Sequence, residues 1–203
     1  MTDFSYLNVD NAYKLINQKV TKTPLVTNDY INNLLEAEIY FKLENLQNTG
    51  SFKLRGATHK ITKLIENVKD SGVVAYSSGN HAQAVAYASM INSISAKIIM
   101  PKTAPQIKIE NTKNYGAEVI LYDTYFQNRE EIGIEIQKKD NRALIKPYDD
   151  EDIIAGQGTA AIEIVNDLEE QLIEPDLYLC CCGGGGLIAG TSTYLKHIYP
   201  NIK

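Results

Sequence analysis

The chain has 203 residues, of which 44% are hydrophobic and 22% charged, so it can bury one large core or two modest ones. Its formal net charge is -5 and its lysines are scattered, which argues against a broad nucleic-acid-binding face. No apolar run approaches the roughly 20 residues that span a bilayer, and residues 1–5 lack the basic start of a signal peptide. A soluble, cytoplasmic protein without nucleic-acid or membrane partners is therefore expected.

The first third of the chain is predicted to contain two helices and a short strand. Apolar residues at helical spacing predict an amphipathic helix over residues 10–20, which the Thr-Pro pair at residues 23–24 ends. A strand is expected over residues 39–43. After a glycine-containing turn, a second helix is predicted over residues 53–68.

The remainder alternates between strands and helices. In chain order, the pattern predicts a strand over residues 73–76, a helix over 82–90, a strand over 96–100, a helix over 106–115, a strand over 117–121, a helix over 128–139 and a strand over 143–145. The series ends with a helix over 153–168, a strand over 177–182 and a helix from about residue 187. Unbroken apolar strands are typical of parallel sheets covered on both faces, so the predicted fold class is α/β, doubly wound.

All three cysteines of the chain are adjacent, namely Cys180, Cys181 and Cys182. Neighbouring residues of a strand point to opposite faces, so these three cannot staple distant segments as independent disulfides could. They lack the CxxC spacing and the nearby histidines of a zinc site, and no metal ligands are predicted. We interpret them as small buried hydrophobic residues in the last strand, with redox sensing as the alternative.

In an open parallel sheet, ligands bind beyond the carboxyl ends of the strands, and three loops of unusual composition lie there. The first loop is the run of four glycines at residues 183–186, directly before the final helix. Without Cβ atoms the backbone can approach an anion closely, and the helix adds free N–H groups and a positive dipole end. The run therefore predicts a phosphate-binding loop, although it lacks the P-loop lysine and the dinucleotide spacing; a merely flexible turn is the alternative.

The second loop, residues 49–57, places Lys53 at the opening of a helix. Cations prefer the other end of a helix, so this position is expected to lower the pKa of the lysine and to favour a nucleophilic amine. A solvated surface lysine is the alternative interpretation for any single lysine of the chain.

The third loop, residues 76–81, joins a strand to a helix. Its hydroxyls, its amide and its free backbone N–H groups together could hold a carboxylate. Ordinary N-capping is the alternative role for Ser78 or Asn80. His81 by itself is interpreted as structural, because no metal-ligand cluster surrounds it.

Taken together and in this order, the three loops resemble one family. Residues 44–57, Glu-Asn-Leu-Gln-Asn-Thr-Gly-Ser-Phe-Lys-Leu-Arg-Gly-Ala, are similar to the lysine segment of threonine/serine dehydratases and serine racemases, which are fold-type II pyridoxal-phosphate enzymes. Residues 77–83 resemble the substrate-carboxylate loop of that family, and residues 183–190 resemble its phosphate loop. Similar segments at 115–119 and 154–159 extend the resemblance over the chain from about residue 23 onwards.

The resemblance implies a role for each matched residue. Lys53 would form the Schiff base with pyridoxal 5'-phosphate and move protons at the substrate Cα, while Phe52 would flank the cofactor ring. Asn80 would bond the phenolic oxygen of the cofactor. The cofactor phosphate would be held by the backbone N–H groups of Gly183, Gly184, Gly185, Gly186 and Leu187. The substrate carboxylate would be bound by Ser77, Ser78, Gly79, Asn80 and His81.

The resemblance also implies one of two reactions on a small hydroxy amino acid. Dehydration, an ammonia-lyase reaction, converts L-threonine or L-serine to a 2-oxo acid and ammonia. Racemisation instead returns the proton to the opposite face of Cα, and Ser78, a serine as in the racemases, can deliver it. Residues 146–150 are more similar to the dehydratases, so a dehydratase is favoured, with serine racemase or a dual activity as the alternative.

The family implies two open parallel-sheet domains with helices on both faces, as in the tryptophan synthase β-like fold. A large cofactor-binding domain would comprise residues 1–71 and 149–203, and a small domain residues 72–148. Because family members are longer and the chain ends directly after a helix, it is interpreted as the N-terminal portion of such an enzyme. A non-catalytic fragment is therefore a further alternative, and a homodimer or higher homo-oligomer is expected.

Overall fold

The computed structural model describes residues 4–203. The helices in this range are α1 (Tyr6–Ile16), α2 (Asp29–Leu35), α3 (Lys53–Val68), α4 (Asn80–Ile91), α5 (Gln106–Asn114), α6 (Arg129–Asp140), α7 (Glu151–Glu169) and α8 (Gly186–Ile198), with a 3-10 helix at Glu44–Leu46. The strands are β1 (Leu25–Thr27), β2 (Tyr40–Lys42), β3 (Val73–Tyr76), β4 (Ala96–Pro101), β5 (Glu118–Tyr122) and β6 (Ala143–Leu144). None of these helices is both long and apolar enough to cross a membrane.

Four strands form a parallel sheet in the order β5-β4-β3-β6. Successive residues of a strand face opposite sides, so Val74 and Ile99 pack with the apolar residues of α6, whereas Val73 and Ile98 pack into the main core with α4. Helices therefore cover both faces of the sheet, which confirms the predicted α/β class. All four strands lie within the stretch predicted as the small domain, but the division into two domains stays a prediction.

Two helices begin earlier than the apolar pattern predicted. Helix α1 starts at Tyr6, because the preceding Ser5 caps it and the Ser5 N–H donates to Asn8 Oδ1 at 2.9 Å. Helix α4 starts at Asn80, two residues before the predicted start. In α1, the buried Val9 extends the stripe of Ala12 and Ile16 towards the N-terminus and was a usable signal. The first turn of α4 begins with the polar Asn80 and His81, which carry no such signal.

Helix α7 lies against α3 and α8 at backbone contact distance. A Cβ atom added at Gly156 of α7 would lie 2.6 Å from the Cα of Gly56 in α3. One added at Gly158 would lie 2.8 Å from the carbonyl oxygen of Gly190 in α8. Real Cβ atoms do not approach so closely, so only glycine allows the helices this separation. Helix α7 therefore fixes α3, which begins at Lys53, relative to α8, which follows the glycine loop.

A buried ion-pair network also joins α3 to α7. The fully buried guanidinium of Arg55 donates to both carboxylate oxygens of Glu163, at 2.7 and 2.8 Å, and to both oxygens of Glu44, at 2.8 and 2.7 Å. Lys42 Nζ contacts Glu163 Oε2 at 2.9 Å. Burial acts to lower the pKa of Arg55, but the hydrogen bonds with Glu44 and Glu163 outweigh it and raise the pKa. The network thus fixes the first turn of α3 by charge as well as by packing.

The predicted strand over residues 177–182 is not formed. Within residues 4–203, the backbone of this segment is hydrogen-bonded to the end of the chain after α8, where Tyr178 N–H donates to Lys203 O at 2.9 Å. A β-strand requires a ladder of hydrogen bonds to another strand, and the strands within residues 4–203 pair elsewhere. Cys181 and Cys182 are exposed and Cys180 is only partly buried, so the interpretation of the cysteines as buried hydrophobic residues is wrong.

Apart from the parallel sheet, residues 4–203 contain one antiparallel pair of strands, β1 with β2. The second parallel sheet that the family architecture implied is therefore not formed in this range. Such a sheet would need the segment at 177–182 as one of its strands, and that segment stays irregular.

Candidate active site

The three predicted loops all contact a fourth segment, residues 145–148, which follows β6. The contacts of this segment reach Lys53 in the lysine loop, His81 beside the carboxylate loop, and Gly184 in the glycine loop. Strand β6 pairs with β3 in the parallel sheet, so the carboxyl ends of both strands lie at the same edge. Residues that are far apart in the sequence are therefore brought to one place.

Lys53 is the first residue of α3, as predicted, and its amine is half-buried. Lys53 Nζ donates to the carbonyl oxygen of Pro147 at 2.5 Å. It also lies 5.4 Å from the ring centroid of Phe52 and 5.9 Å from that of Tyr148. Burial lowers the pKa of the Lys53 amine by desolvation, and this is the expected direction. A lysine of lowered pKa beside two aromatic rings can act as a nucleophilic amine.

The His81 side chain points into the core instead of into the carboxylate loop. It is buried, and Nε2 donates to the carbonyl oxygen of Ile145 at 3.0 Å. Burial lowers the pKa of His81 to about 4, an effect that the Ile145 carbonyl opposes and the Lys53 charge reinforces. The ring is therefore neutral at pH 7. His81 was predicted to bind the substrate carboxylate, but only its backbone N–H can do so. Its side chain instead anchors the segment that follows β6.

The carboxylate loop leaves its polar groups available to a ligand. Ser77 Oγ accepts a hydrogen bond from Gly79 N–H at 3.2 Å, whereas Ser78 is exposed. Gly79 is the N-cap residue of α4 and no side chain caps the helix, so neither Ser78 nor Asn80 has the N-capping role. Asn80 is instead bonded through Oδ1 to Lys108 Nζ at 2.7 Å. The N–H groups of the first turn of α4 can therefore meet an anion.

The glycine loop leads into α8 with Gly185 as the N-cap residue, in the left-handed conformation at φ 83°. No side chain caps α8, so the N–H groups of its first turn, including that of Leu187, have no partner within the helix. Gly183 and Gly185 have open space where a Cβ would lie, whereas a Cβ at Gly184 would overlap the ring of Tyr148. The loop thus has the bare backbone and the free donors that a phosphate requires.

The predicted site omitted Pro147, Tyr148 and Lys108. Residues 146–150 were matched to the family as a pattern, but no contact role was assigned to them. Their position after a strand of the parallel sheet was a usable signal, since the ends of neighbouring parallel strands share an edge. Lys108 had no such signal, because it lies on α5 among other polar residues.

A surface cavity of about 490 Å³ lies between α1, α3 and α7, away from the four segments. Three of the ionisable residues that line it, His59, Lys63 and Asp152, contact one another. Lys63 forms an ion pair with Asp152, and His59 Nδ1 lies 2.7 Å from the Asp152 carbonyl oxygen. The candidate active site is therefore assigned to the lysine, carboxylate and glycine loops and the segment at 145–148, and not to this cavity.

A family model described as "Pyridoxal-phosphate dependent enzyme" matches residues 16–203 of the chain. The serine racemase of Schizosaccharomyces pombe is 42% identical over 197 residues, which are 97% of this chain and 60% of the relative. The L-threonine ammonia-lyase of Thermotoga maritima is 42% identical over 196 residues, which are 97% of this chain and 48% of the relative. The chain thus spans 60% of the length of the first of these relatives and 48% of the length of the second.

The crystal structure of serine racemase from Dictyostelium discoideum matches the fold of the chain with a TM-score of 0.90 at 40% sequence identity. The match covers 98% of this chain and 64% of that one. The fold is thus that of a serine racemase, one of the enzymes that the lysine segment resembles.

Proposed function

The chain belongs to the family of pyridoxal-phosphate-dependent enzymes, and on this basis we propose that it carries the lysine and the binding loops of an ammonia-lyase. The proposed reaction converts L-threonine or L-serine to a 2-oxo acid and ammonia. The observation that carries the proposal is Lys53, an amine of lowered pKa beside the segment at 145–148. That same segment reaches the glycine loop through Tyr148. Dehydration is favoured because residues 146–150 resemble those of dehydratases.

The residues present fit pyridoxal phosphate. The uncapped start of α8 and the open backbone at Gly183 and Gly185 suit its phosphate, since a helix N-terminus favours a dianion. The Lys53 amine suits a Schiff base, because a lowered pKa raises the fraction of neutral amine at pH 7. When bound, the cofactor supplies an electron sink for negative charge at the substrate Cα.

The chain would contribute binding and proton transfer. Residues 77–81 would hold the substrate carboxylate through hydroxyls and the free N–H groups at the start of α4. The neutral amine of Lys53 would remove the Cα proton as a general base and return protons later. Loss of the β-hydroxyl as water, followed by hydrolysis, gives the 2-oxo acid and ammonia.

The proposal is tested by adding pyridoxal phosphate to the purified protein and recording its visible absorption spectrum. Borohydride reduction and peptide mapping should then locate a cofactor adduct on Lys53. L-threonine and L-serine are supplied next, and 2-oxo acid and D-serine are measured in the same samples. An adduct on another lysine, or none, would refute the site; an adduct without 2-oxo acid formation would refute the ammonia-lyase.

Racemisation is the second candidate, and the Ser78 hydroxyl favours it. Ser78 is exposed at the start of α4, and its hydroxyl has no hydrogen-bond partner within residues 4–203. A hydroxyl free of such bonds can exchange a proton with a bound ligand. The identity to the serine racemase of Schizosaccharomyces pombe agrees with this candidate.

Replacing Ser78 with alanine is expected to suppress racemisation far more than elimination. The proposed elimination uses Lys53 for the Cα proton, whereas racemisation needs a second proton donor. Positioned acid–base groups contribute roughly 100-fold or more to rate, so D-serine formation should fall by about that factor. Chiral chromatography of D-serine and a colorimetric 2-oxo acid assay measure the two rates. Equal losses in both would exclude Ser78 as the proton donor.

Replacing Gly185 with valine is expected to weaken pyridoxal phosphate binding roughly tenfold. The free loop would relax away from a φ that valine disfavours and would have to return to it on binding, and a cost of about 1.4 kcal/mol corresponds to that factor. The φ of 83° suits glycine, and a β-branched residue is strained there by about 1–2 kcal/mol. Gly183→Ala is the matched control, because Gly183 has no positive φ and no atom within 4 Å of an added Cβ. Equilibrium titration with the cofactor compares the variants, and equal affinities would exclude the glycine loop as the phosphate site.

A further inference from the structure

Lys108 of α5 reaches the carboxylate loop from a separate helix. Its Nζ donates to Asn80 Oδ1 at 2.7 Å, and a Cβ added at Gly79 would lie 3.3 Å from the same ammonium. The side chain thus covers the loop directly before α4. Lys108 itself is partly buried, and this hydrogen bond is its side-chain contact with the loop.

The chemistry of the contact fixes the orientation of the Asn80 amide. A lysine ammonium has three donors and no acceptor, so the atom that faces it must be the carbonyl oxygen of the amide. The Asn80 NH₂ group is therefore turned away from Lys108. No residue between 4 and 203 accepts a hydrogen bond from it. With Lys108 in place, Asn80 can present a donor, and not an acceptor, to a ligand.

The positive charge of Lys108 is not cancelled by a carboxylate. Within the described range, no Asp or Glu oxygen lies within 4.0 Å of Lys108 Nζ, in contrast to Lys60 and Lys97. A hydrogen bond from an ammonium withdraws electron density from the amide oxygen, which makes the NH₂ group of the same amide a stronger donor. Asn80 is therefore oriented and polarised by one neighbour.

We propose that Lys108 is a positioning residue, which fixes and polarises the Asn80 amide so that its NH₂ group donates to the phenolic oxygen of pyridoxal phosphate. This inference rests on the proposed function, in which the chain binds that cofactor. A phenolic oxygen that accepts a strong hydrogen bond is stabilised in its ionised form. Lys108 would therefore favour the ionised form of the bound cofactor without touching it.

The test compares wild type, Lys108→Met and Lys108→Arg, each titrated with pyridoxal phosphate. Methionine keeps the length of the side chain without its donors, and arginine keeps a charged, donor-only group. Lys108→Met is expected to bind the cofactor about three- to tenfold more weakly, because a polarised donor to a charged oxygen is lost. Its bound cofactor should also shift towards the absorption band of the neutral form. Lys108→Arg should restore both properties at least in part.

Lys113→Met is the matched control, since Lys113 is exposed on the same helix and should behave as wild type. Thermal unfolding of each variant shows whether it is folded. If Lys108→Met does not fold, Lys108→Gln serves instead, because it also removes the ammonium charge from Asn80 Oδ1 and should shift the spectrum in the same direction.

The two proposals fail in different ways. A wild-type protein that binds no pyridoxal phosphate overturns the proposed function, and this inference with it. A wild-type protein that binds the cofactor, beside a folded Lys108→Met with the same affinity and the same spectrum across pH, overturns the inference alone. A loss of affinity in Lys113→Met equal to that in Lys108→Met would likewise overturn it. The loss would then follow from removing any positive charge on α5, and not from the contact with Asn80.

Discussion

Replacing Lys53 with alanine is expected to abolish covalent attachment of pyridoxal phosphate and all turnover. Burial lowers the pKa of the Lys53 amine, and Lys53 contacts the segment at 145–148, which also reaches the other two loops. Alanine removes the nucleophile as well as the proposed general base, so no residual reaction through this route remains. Borohydride reduction followed by mass spectrometry of the peptides measures the loss of the adduct directly.

Two control variants test whether the adduct requires the amine of Lys53 itself, and not merely a positive charge or a nearby lysine. Lys53→Arg keeps a cation next to the Pro147 carbonyl, but a guanidinium stays protonated and is expected to form no adduct. Lys146→Ala removes an exposed lysine of the neighbouring segment and is expected to keep a full adduct. Should the adduct persist in Lys53→Ala, or disappear in Lys146→Ala, the assignment of the nucleophile would be wrong.

Replacing Arg55 with methionine is expected to destabilise the protein by about 3–5 kcal/mol, the usual result of removing one partner from a buried ion pair. Arg55 has no exposed surface, and four of its hydrogen bonds go to the carboxylates of Glu44 and Glu163. Without it, Glu163 stays buried, and Lys42 is the remaining ion-pair partner of its carboxylate within residues 4–203. Urea unfolding with linear extrapolation measures the change in the free energy of unfolding.

The acid dependence of this effect has a definite sign. Burial acts to raise the pKa of Glu163, but the hydrogen bonds from Arg55 and Lys42 outweigh it and lower the pKa. The ion pair therefore stabilises the fold above the ordinary glutamate pKa and loses this contribution as the pH falls through the lowered value. The difference between wild type and Arg55→Met should shrink below about pH 4.3.

A surface ion pair provides the control for the Arg55 variant. Lys69 lies 3.2 Å from Glu66, and both side chains are largely exposed. Lys69→Met is expected to change the free energy of unfolding by less than about 1 kcal/mol. A loss as small as this in Arg55→Met would mean that the buried network contributes no more than an exposed pair.

The fold could be predicted from the sequence wherever local periodicity and local burial agree. Helices α3 and α7 carry long apolar stripes and were predicted almost to their ends. The strands β3 and β4 could be predicted because they are largely buried and almost entirely apolar, with Lys97 as the exception in β4. The segment at 177–182 has the same composition, yet a strand also depends on a partner, and composition carries no information about partners.

The candidate site was only partly predictable for a related reason. Glycine runs and a lysine at a helix start are local signals, so the loops themselves were found. Three contacts instead join residues that are 28 to 108 positions apart: Lys53 with the Pro147 carbonyl, Arg55 with Glu163, and Lys108 with Asn80. The inward direction of His81 is likewise a tertiary effect, because it depends on the position of Ile145.

The paired glycine contacts of α7 have an evolutionary consequence. Gly156 and Gly158 are two residues apart and so face nearly opposite sides of the helix, one towards α3 and the other towards α8. The distance from the lysine to the glycine loop is therefore set by backbone thickness, and no side chain can alter it. Substitutions among residues 77–81 and 145–148 could then change the reaction, while the backbone contacts of α7 would keep the dimensions of the proposed cofactor site unchanged.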